Sequence, residues 1–358
     1  MSKARDFFDR LPIPIIQAPM VGASGVELAA AVSQAGGLGV LAAGALEPEA
    51  LEAQTAELKA KAGGSFAVNL FVLRPAAPAG EAVAEAERRL APWWAELGLD
   101  PPKPPNDFAP DFERQFAALI RAAPPAASFT FDVLSAERVE ALRAAGVLVI
   151  GTATTVAEAR AWAGAGADAV CAQGAEAGGH RGHFLAETAA SLIGTMALVP
   201  TIRAAVDLPV IAAGGIMDGR GVAAALALGA CAVQMGTAFL LADEAIPSDP
   251  WRHAIETAPD DPTRLTRALT GRHARGVENR FMREMRSVED EVPAYPVQNR
   301  LTQPLRAAAA KAGNADMLSL WAGQGVKLAE PGRAADLVRR WWVEARRTAV
   351  ELDRRTGA

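Results

Sequence analysis

Eight short apolar runs, most of them followed by a longer alanine-rich segment, constrain this chain more than any other feature. The runs occupy positions 13–19, 39–43, 66–72, 128–133, 148–153, 169–173, 210–214 and 232–236. They are apolar along their length rather than alternating, which is how parallel strands covered on both faces read. Helix-like stretches with turn residues at their ends lie between them, at 25–34, 48–62, 136–145, 156–163 and 219–228. This repetition predicts βα units around a parallel sheet. Eight repeats favour closure into a TIM (β/α)8 barrel over an open, doubly wound sheet.

Such a barrel takes about 250 residues, and the chain has 358. Three stretches hold the surplus. Positions 74–127 contain helix-like segments around a proline-rich 100–107 and read as an elaborated loop after the third strand. Positions 181–208 are longer than one helix needs. Positions 240–306 carry many charges and the single tyrosine, Tyr295, and predict a small lobe over the barrel mouth. The expected division is therefore a barrel of 1–243 plus 307–358, including the long loop 74–127, and a substrate-side lobe of 244–306. The net charge of −5 shows no basic surplus for nucleic acid. An anionic substrate must then be drawn by local donors. No signal-peptide core and no apolar run of about 18 residues is present, so a soluble, cytoplasmic protein is expected. Cys171 and Cys231 sit in strand-like runs and read as buried free thiols.

Barrel active sites are built at the C-terminal ends of the strands, and several of those ends are unusual here. The first carries Gln17-Ala18-Pro19-Met20, small residues and a methionine suited to a flat ring. The third carries Asn69 among apolar neighbours, a polar group that must be hydrogen-bonded or aimed at a ligand. The sixth runs into Gln173-Gly174-Ala175-Glu176-Ala177-Gly178-Gly179-His180-Arg181-Gly182-His183. Paired glycines allow close approach of a ligand to backbone, and the imidazole of His180 can act as base or hydrogen-bond donor. The spacing supports no metal site. The seventh and eighth strands end in Gly214-Gly215 and Gln234-Met235-Gly236-Thr237. Glycines opening two successive βα loops predict a phosphate site. No GxGxxG follows the first strand, so a Rossmann dinucleotide site is not expected.

Together Gln17-Ala18-Pro19-Met20, Asn69-Leu70-Phe71, Glu176-Ala177-Gly178-Gly179-His180-Arg181-Gly182 and Ala213-Gly214-Gly215-Ile216 resemble the nitronate monooxygenases, formerly 2-nitropropane dioxygenases. Tyr295-Pro296-Val297-Gln298-Asn299 and Ala322-Gly323-Gln324-Gly325 resemble the later motifs of the class I branch. The resemblance implies non-covalent FMN without a metal, and oxidation of alkyl nitronates by O₂ to carbonyl compounds and nitrite. It implies FMN contacts at Asn69, Gln173, Gly178, Gly215 and Gln234 to Thr237. Strand-end position adds Gln17, Ala18, Pro19, Met20, Gly179 and Gly214. His180 matches the family's active-site histidine, with two roles open: abstracting a proton from a neutral nitroalkane or orienting the anionic nitronate. The N–H groups of Gly178, Gly179 and Gly182 favour the second. The alternative on the same fold is an NAD(P)H-dependent flavin reductase of quinones or enoyl thioesters.

Overall fold

A computed structural model of the chain describes residues 3–76, 78, 80–103, 105 and 107–357. In chain order its strands are β1 (Ile15–Gln17), β2 (Gly39–Ala42), β3 (Phe66–Phe71), β4 (Ala126–Thr130), β5 (Leu148–Ala153), β6 (Ala169–Gln173), β7 (Gly179–His180), β8 (Val210–Ala213), β9 (Ala232–Met235), β10 (Thr263–Thr266) and β11 (Ala274–Val277). Eight of them form one parallel sheet in the order β1-β9-β8-β6-β5-β4-β3-β2. A parallel bridge between Ile16 and Leu38 joins its two edges and closes the (β/α)8 barrel. Gln17 reinforces that seam, its Oε1 accepting the Val40 N–H at 3.0 Å.

The strands form where apolar residues run without interruption, because both of their faces are covered. Inside the barrel Ile16, Val40, Ala67, Ile150, Ala169, Ile211 and Ala232 belong to one buried cluster, which Phe8 and Leu11 from the N-terminal segment join. Helices Val26–Gln34, Pro48–Ala62, Phe112–Ala122, Ala136–Ala144, Val156–Gly164, Thr195–Ala205 and Gly219–Ala227 cover the outside. Local chemistry sets their ends. Pro48 opens one helix and Gly63, in the left-handed region at φ 72°, closes it. Ser135, Thr155 and Asp218 cap three others through their side chains. The eighth barrel helix comes only at Ala334–Thr356. It lies so close to Gly219–Ala227 that a Cβ on Gly219 would sit 2.3 Å from the Trp341 carbonyl oxygen.

The chain between β9 and that last helix builds a second apolar cluster over the barrel mouth, around Trp251, Phe281, Leu301, Leu305, Met317 and Val326. Its extent differs from 244–306. Helix Val297–Lys311 crosses the expected boundary with Leu301, Leu305 and Ala309 on one stripe, and the cluster continues to Val326. The long loop divides as well. Helix Phe112–Ala122 is an ordinary barrel helix packed on Pro48–Ala62. Helix Gly80–Glu96 instead joins the lobe through Val83, Leu90, Trp93 and Trp94. Within the proline-rich stretch 100–107, positions 104 and 106 lie outside the described residues. Among the described residues no helix is long and apolar enough to cross a membrane. Both cysteines are free, Cys171 buried and Cys231 half-buried, and burial pushes both thiols up to about 12.

Candidate active site

The C-terminal strand ends surround a cavity of about 240 Å³. On this measure one water fills about 10–15 Å³, so the space suits a ring system with a side chain. Ala18, Pro19, Met20, Asn69, Gln173, Gly178, Gly179, His180, Gly214, Gly215, Gln234, Gly236 and Thr237 all line it. Gln17 and Met235 do not. They are register partners on adjacent strands, 0% and 1% exposed, and both side chains turn away from the barrel axis. Successive strand residues face opposite sides, so Ile16 and Gln234 take the inward positions and their neighbours cannot. Gln17 spends its amide on the seam, donating also to the Ala18 carbonyl.

At one end of the cavity stand the glycines. Gly214 and Gly215 have φ 113° and 73°, values that favour glycine. The N–H groups of Gly215 and Gly236 bond no other described residue. The loop carrying Gly323 closes over this end: its N–H donates to Thr237 Oγ1 at 2.9 Å, and a Cβ on Gly178 would lie 2.5 Å from it. Glu176 faces the same end. Its oxygens accept from the Thr195 N–H at 2.9 and 3.0 Å and from Thr195 Oγ1 at 2.9 Å, which satisfies the N-terminus of helix Thr195–Ala205. Asn69 donates to the carbonyl and hydroxyl of Ser128 at 3.2 and 3.0 Å.

At the other end His180 lies in an aromatic wall, its ring 5.3 Å from Tyr295, 5.6 Å from Phe131 and 5.7 Å from Trp321. The lobe fixes its backbone, because β7 pairs antiparallel with β11 and places His180 opposite Ala274. Gln173 clamps the same strand, donating to the His180 carbonyl at 3.0 Å and accepting the Gly182 N–H at 2.8 Å. Arg181 is fully buried and braces the loop through the carbonyls of Gly174, Gln173 and Ser191. Burial, then the Arg272 and Arg306 guanidiniums, push the imidazole down to about 3, so the ring is neutral at physiological pH.

The tautomer of that neutral ring follows from Thr270. The Thr270 hydroxyl contacts the Arg272 carbonyl at 3.0 Å and His180 Nε2 at 2.9 Å. A carbonyl only accepts, so the one hydroxyl proton goes to Arg272 and the contact with Nε2 is satisfied when Nε2 donates. The proton sits on Nε2. Nδ1, which bonds no described residue, keeps a lone pair.

Glu158, at the foot of helix Val156–Gly164, holds the chain leaving this segment. It is fully buried and accepts from Phe184 N, Leu185 N, Thr154 N and Thr154 Oγ1 at 2.6–3.1 Å. Burial raises its affinity for a proton, but the bonds outweigh it and the carboxyl lies below its usual range. The contribution is therefore present above the unfolded value near 4.3 and lost as pH falls through the lower folded value. Glu158→Gln is expected to destabilise the protein by about 2–4 kcal/mol at pH 7, because an amide leaves N–H donors facing N–H. Urea unfolding at pH 7 and in mild acid should show the gap narrowing as the wild-type carboxylate protonates. Equal midpoints at pH 7 would remove the role.

Trp251, Tyr295, Asn299, Arg306, Trp321 and Gly325 also line the cavity, and none of them was singled out in the sequence for a site role. Tyr295, Asn299 and Gly325 lie in segments carrying the class I resemblance, which was the one available signal. No described residue of 74–127 lines it. No three His, Cys, Asp or Glu side chains of the described residues converge as a metal set.

Comparisons with known proteins bear on the family and the fold. The family model "Nitronate monooxygenase" matches residues 6–343. A probable nitronate monooxygenase of Staphylococcus saprophyticus is 44% identical over 320 residues, covering 88% of this chain and 90% of its own. One from Staphylococcus aureus (strain Newman) is 42% identical over 317 residues, covering 88% and 89%. Among solved structures, nitroalkane oxidase from Streptomyces ansochromogenes superposes with TM-score 0.90 at 43% identity, covering 96% of this chain and 99% of that one. FabK from Thermotoga maritima reaches TM-score 0.76 at 30% identity, with 98% of each chain covered. With the family model spanning nearly the whole barrel and lobe, and relatives above 40% identity along most of their length, this chain belongs to the nitronate monooxygenase family and is an oxidoreductase.

Proposed function

We propose that the protein binds FMN and oxidises alkyl nitronates, and nitroalkanes once deprotonated, with O₂ to carbonyl compounds and nitrite. The observation that carries this reading is the pairing, in one cavity, of unpartnered glycine N–H groups with a neutral histidine whose Nδ1 lone pair is free. Gly215, Gly236 and Thr237 would hold the FMN phosphate, since fixed N–H donors at successive strand ends favour an anion. Ala18 to Met20, Asn69, Gln173, Gly178, Gly179, Gly214 and Gln234 would flank the ring system. FMN, when bound, supplies acceptance of electrons from the substrate carbon and their delivery to O₂.

His180 then acts as proton acceptor. A neutral nitroalkane carries an acidic C–H, and Nδ1 takes that proton as the nitronate forms. The negative charge arising beside the ring favours imidazolium just when it is needed. The glycine donors that spoke for an anion-orienting histidine are partly spent, since the Gly182 N–H serves Gln173. Tyr295, Phe131 and Trp321 wall the ring with aromatic surface.

Purified protein is expected to be yellow and to release FMN rather than FAD on denaturation. Mixed anaerobically with a nitronate, the flavin absorbance should bleach; with NADH or NADPH it should persist. Rapid bleaching by a reduced nicotinamide alone would turn the assignment to the reductases, and a colourless protein that takes up no FMN would sink the reading.

A further inference from the structure

We propose that Arg306 is the anchor for a planar oxyanion in the cavity, the nitronate head group of the substrate; this rests on the function proposed above. Arg306 lies on helix Val297–Lys311 of the lobe and is the only guanidinium or ammonium among the described residues lining the cavity. All its hydrogen-bond partners are neutral. Nη1 donates to Ser319 Oγ at 3.1 Å, and Nη2 donates to the backbone and side-chain oxygens of Asn299 at 2.9 and 2.8 Å. Nε is buried without a partner, and no carboxylate pairs with this side chain among the described residues.

Arg306 is half-buried with its Nε fully buried, and a cation desolvated to that extent without a counter-charge is costly. The one carboxylate in the cavity cannot repay that cost, because Glu176 is held at the glycine end by Thr195. The missing negative charge therefore arrives with a ligand. Arg306 remains a cation at neutral pH even though burial lowers it to about 10. Its planar fork matches a planar head group with two oxygens. Tyr295 adds a second donor. Burial first of all pushes its phenol up to about 12, so it keeps its proton, and its hydroxyl bonds no other described residue. His180 cannot fill this role, since Nε2–H is spent on Thr270 and the Nδ1 lone pair repels an anion. The work is divided: His180 takes the proton and Arg306 holds the charge that the proton leaves behind.

Sodium nitrate, planar and unreactive here, serves as the probe. Titrated into the flavin-loaded wild type, it should perturb the flavin absorbance saturably and compete with a nitronate. The affinity should be flat between about pH 6 and 9, because a guanidinium does not titrate there. Arg306→Met should lose about 10–100-fold in nitrate affinity, with a comparable rise in nitronate KM and unchanged flavin content. Arg306→Lys should recover part of both, keeping charge but not the fork.

Nitrate binding in Arg306→Met equal to wild type overturns the proposal. So does a wild-type affinity that falls about tenfold per pH unit, the mark of a titrating imidazolium. Should Arg306→Met not fold, as judged by circular dichroism, the wild-type pH series and Arg306→Lys decide. Nitrate binding that depends on Arg306 in an enzyme that leaves nitronates untouched would keep the anchor and remove the nitronate assignment. Nitronate turnover indifferent to Arg306 would do the reverse.

Discussion

Replacing His180 with asparagine is expected to lower turnover of a neutral nitroalkane by about 10²–10⁴-fold, the usual cost of removing a general base. Pre-formed nitronate arrives without the proton and should keep most of its rate. Thr270→Val frees the ring to place its proton on Nδ1, so part of the neutral-substrate loss should reappear there and Thr270→Ser should restore it. With the imidazole pushed down to about 3, mainly by burial, the base form is present throughout the working range. The kcat/KM for the neutral substrate should then show no acid limb between about pH 5 and 8, where an unperturbed histidine near 6.5 would give one. Equal losses on both substrates, mostly in KM, would assign His180 to holding the anion instead. Full activity of His180→Asn on both would remove it from the chemistry.

Valine at Gly215 is expected to empty the flavin site. Gly215 has φ 73°, and a Cβ there would stand 3.3 Å from Glu176 Cβ. A β-branched residue therefore meets both backbone strain and a fixed neighbour. Valine at Gly236 works by space alone: its backbone is at φ −112°, but a Cβ would lie 3.3 Å from Ala18 Cβ and 3.6 Å from Met20 Sδ. Each change removes close backbone approach to a phosphate, where one charge-assisted hydrogen bond contributes about 1.5–3 kcal/mol. FMN content after gel filtration should fall at least about tenfold in both. Far-ultraviolet circular dichroism should remain that of the barrel. Normal flavin occupancy in both variants would show that the phosphate is held elsewhere.

The cavity also explains which parts of the site a linear reading could find. His180, Gly178, Gly215 and Gly236 stand out because glycine pairs and a histidine are rare at the end of an apolar run. Gln17 and Met235 stand at strand ends too, yet strand parity turns them outward. A shift of one residue decides the facing of a side chain, and parity is hard to read in a strand that is apolar on both faces. Arg306, Trp321 and Thr270 carry no local mark. Each is distant in sequence from His180 and reaches it only because β11 pairs with β7 and the lobe folds back over the mouth.

The sequence by itself determined the barrel: eight runs apolar along their length, most followed by a helix-like segment, point to a parallel sheet covered by helices, and most of the runs end at or beside a glycine or proline. It also determined the glycine-lined end of the cavity, because those residues are adjacent in sequence to the strands that place them. The tertiary structure decided where the lobe begins and ends, since helices Gly80–Glu96 and Val297–Lys311 share one apolar core that no local pattern reveals. It decided the chemical state of the site as well. Burial beside two guanidiniums makes His180 neutral, a hydroxyl from the lobe sets its tautomer, and an arginine lacking a counter-charge stands in the same cavity. Those properties depend on distances and desolvation between distant segments, which only the folded chain brings together.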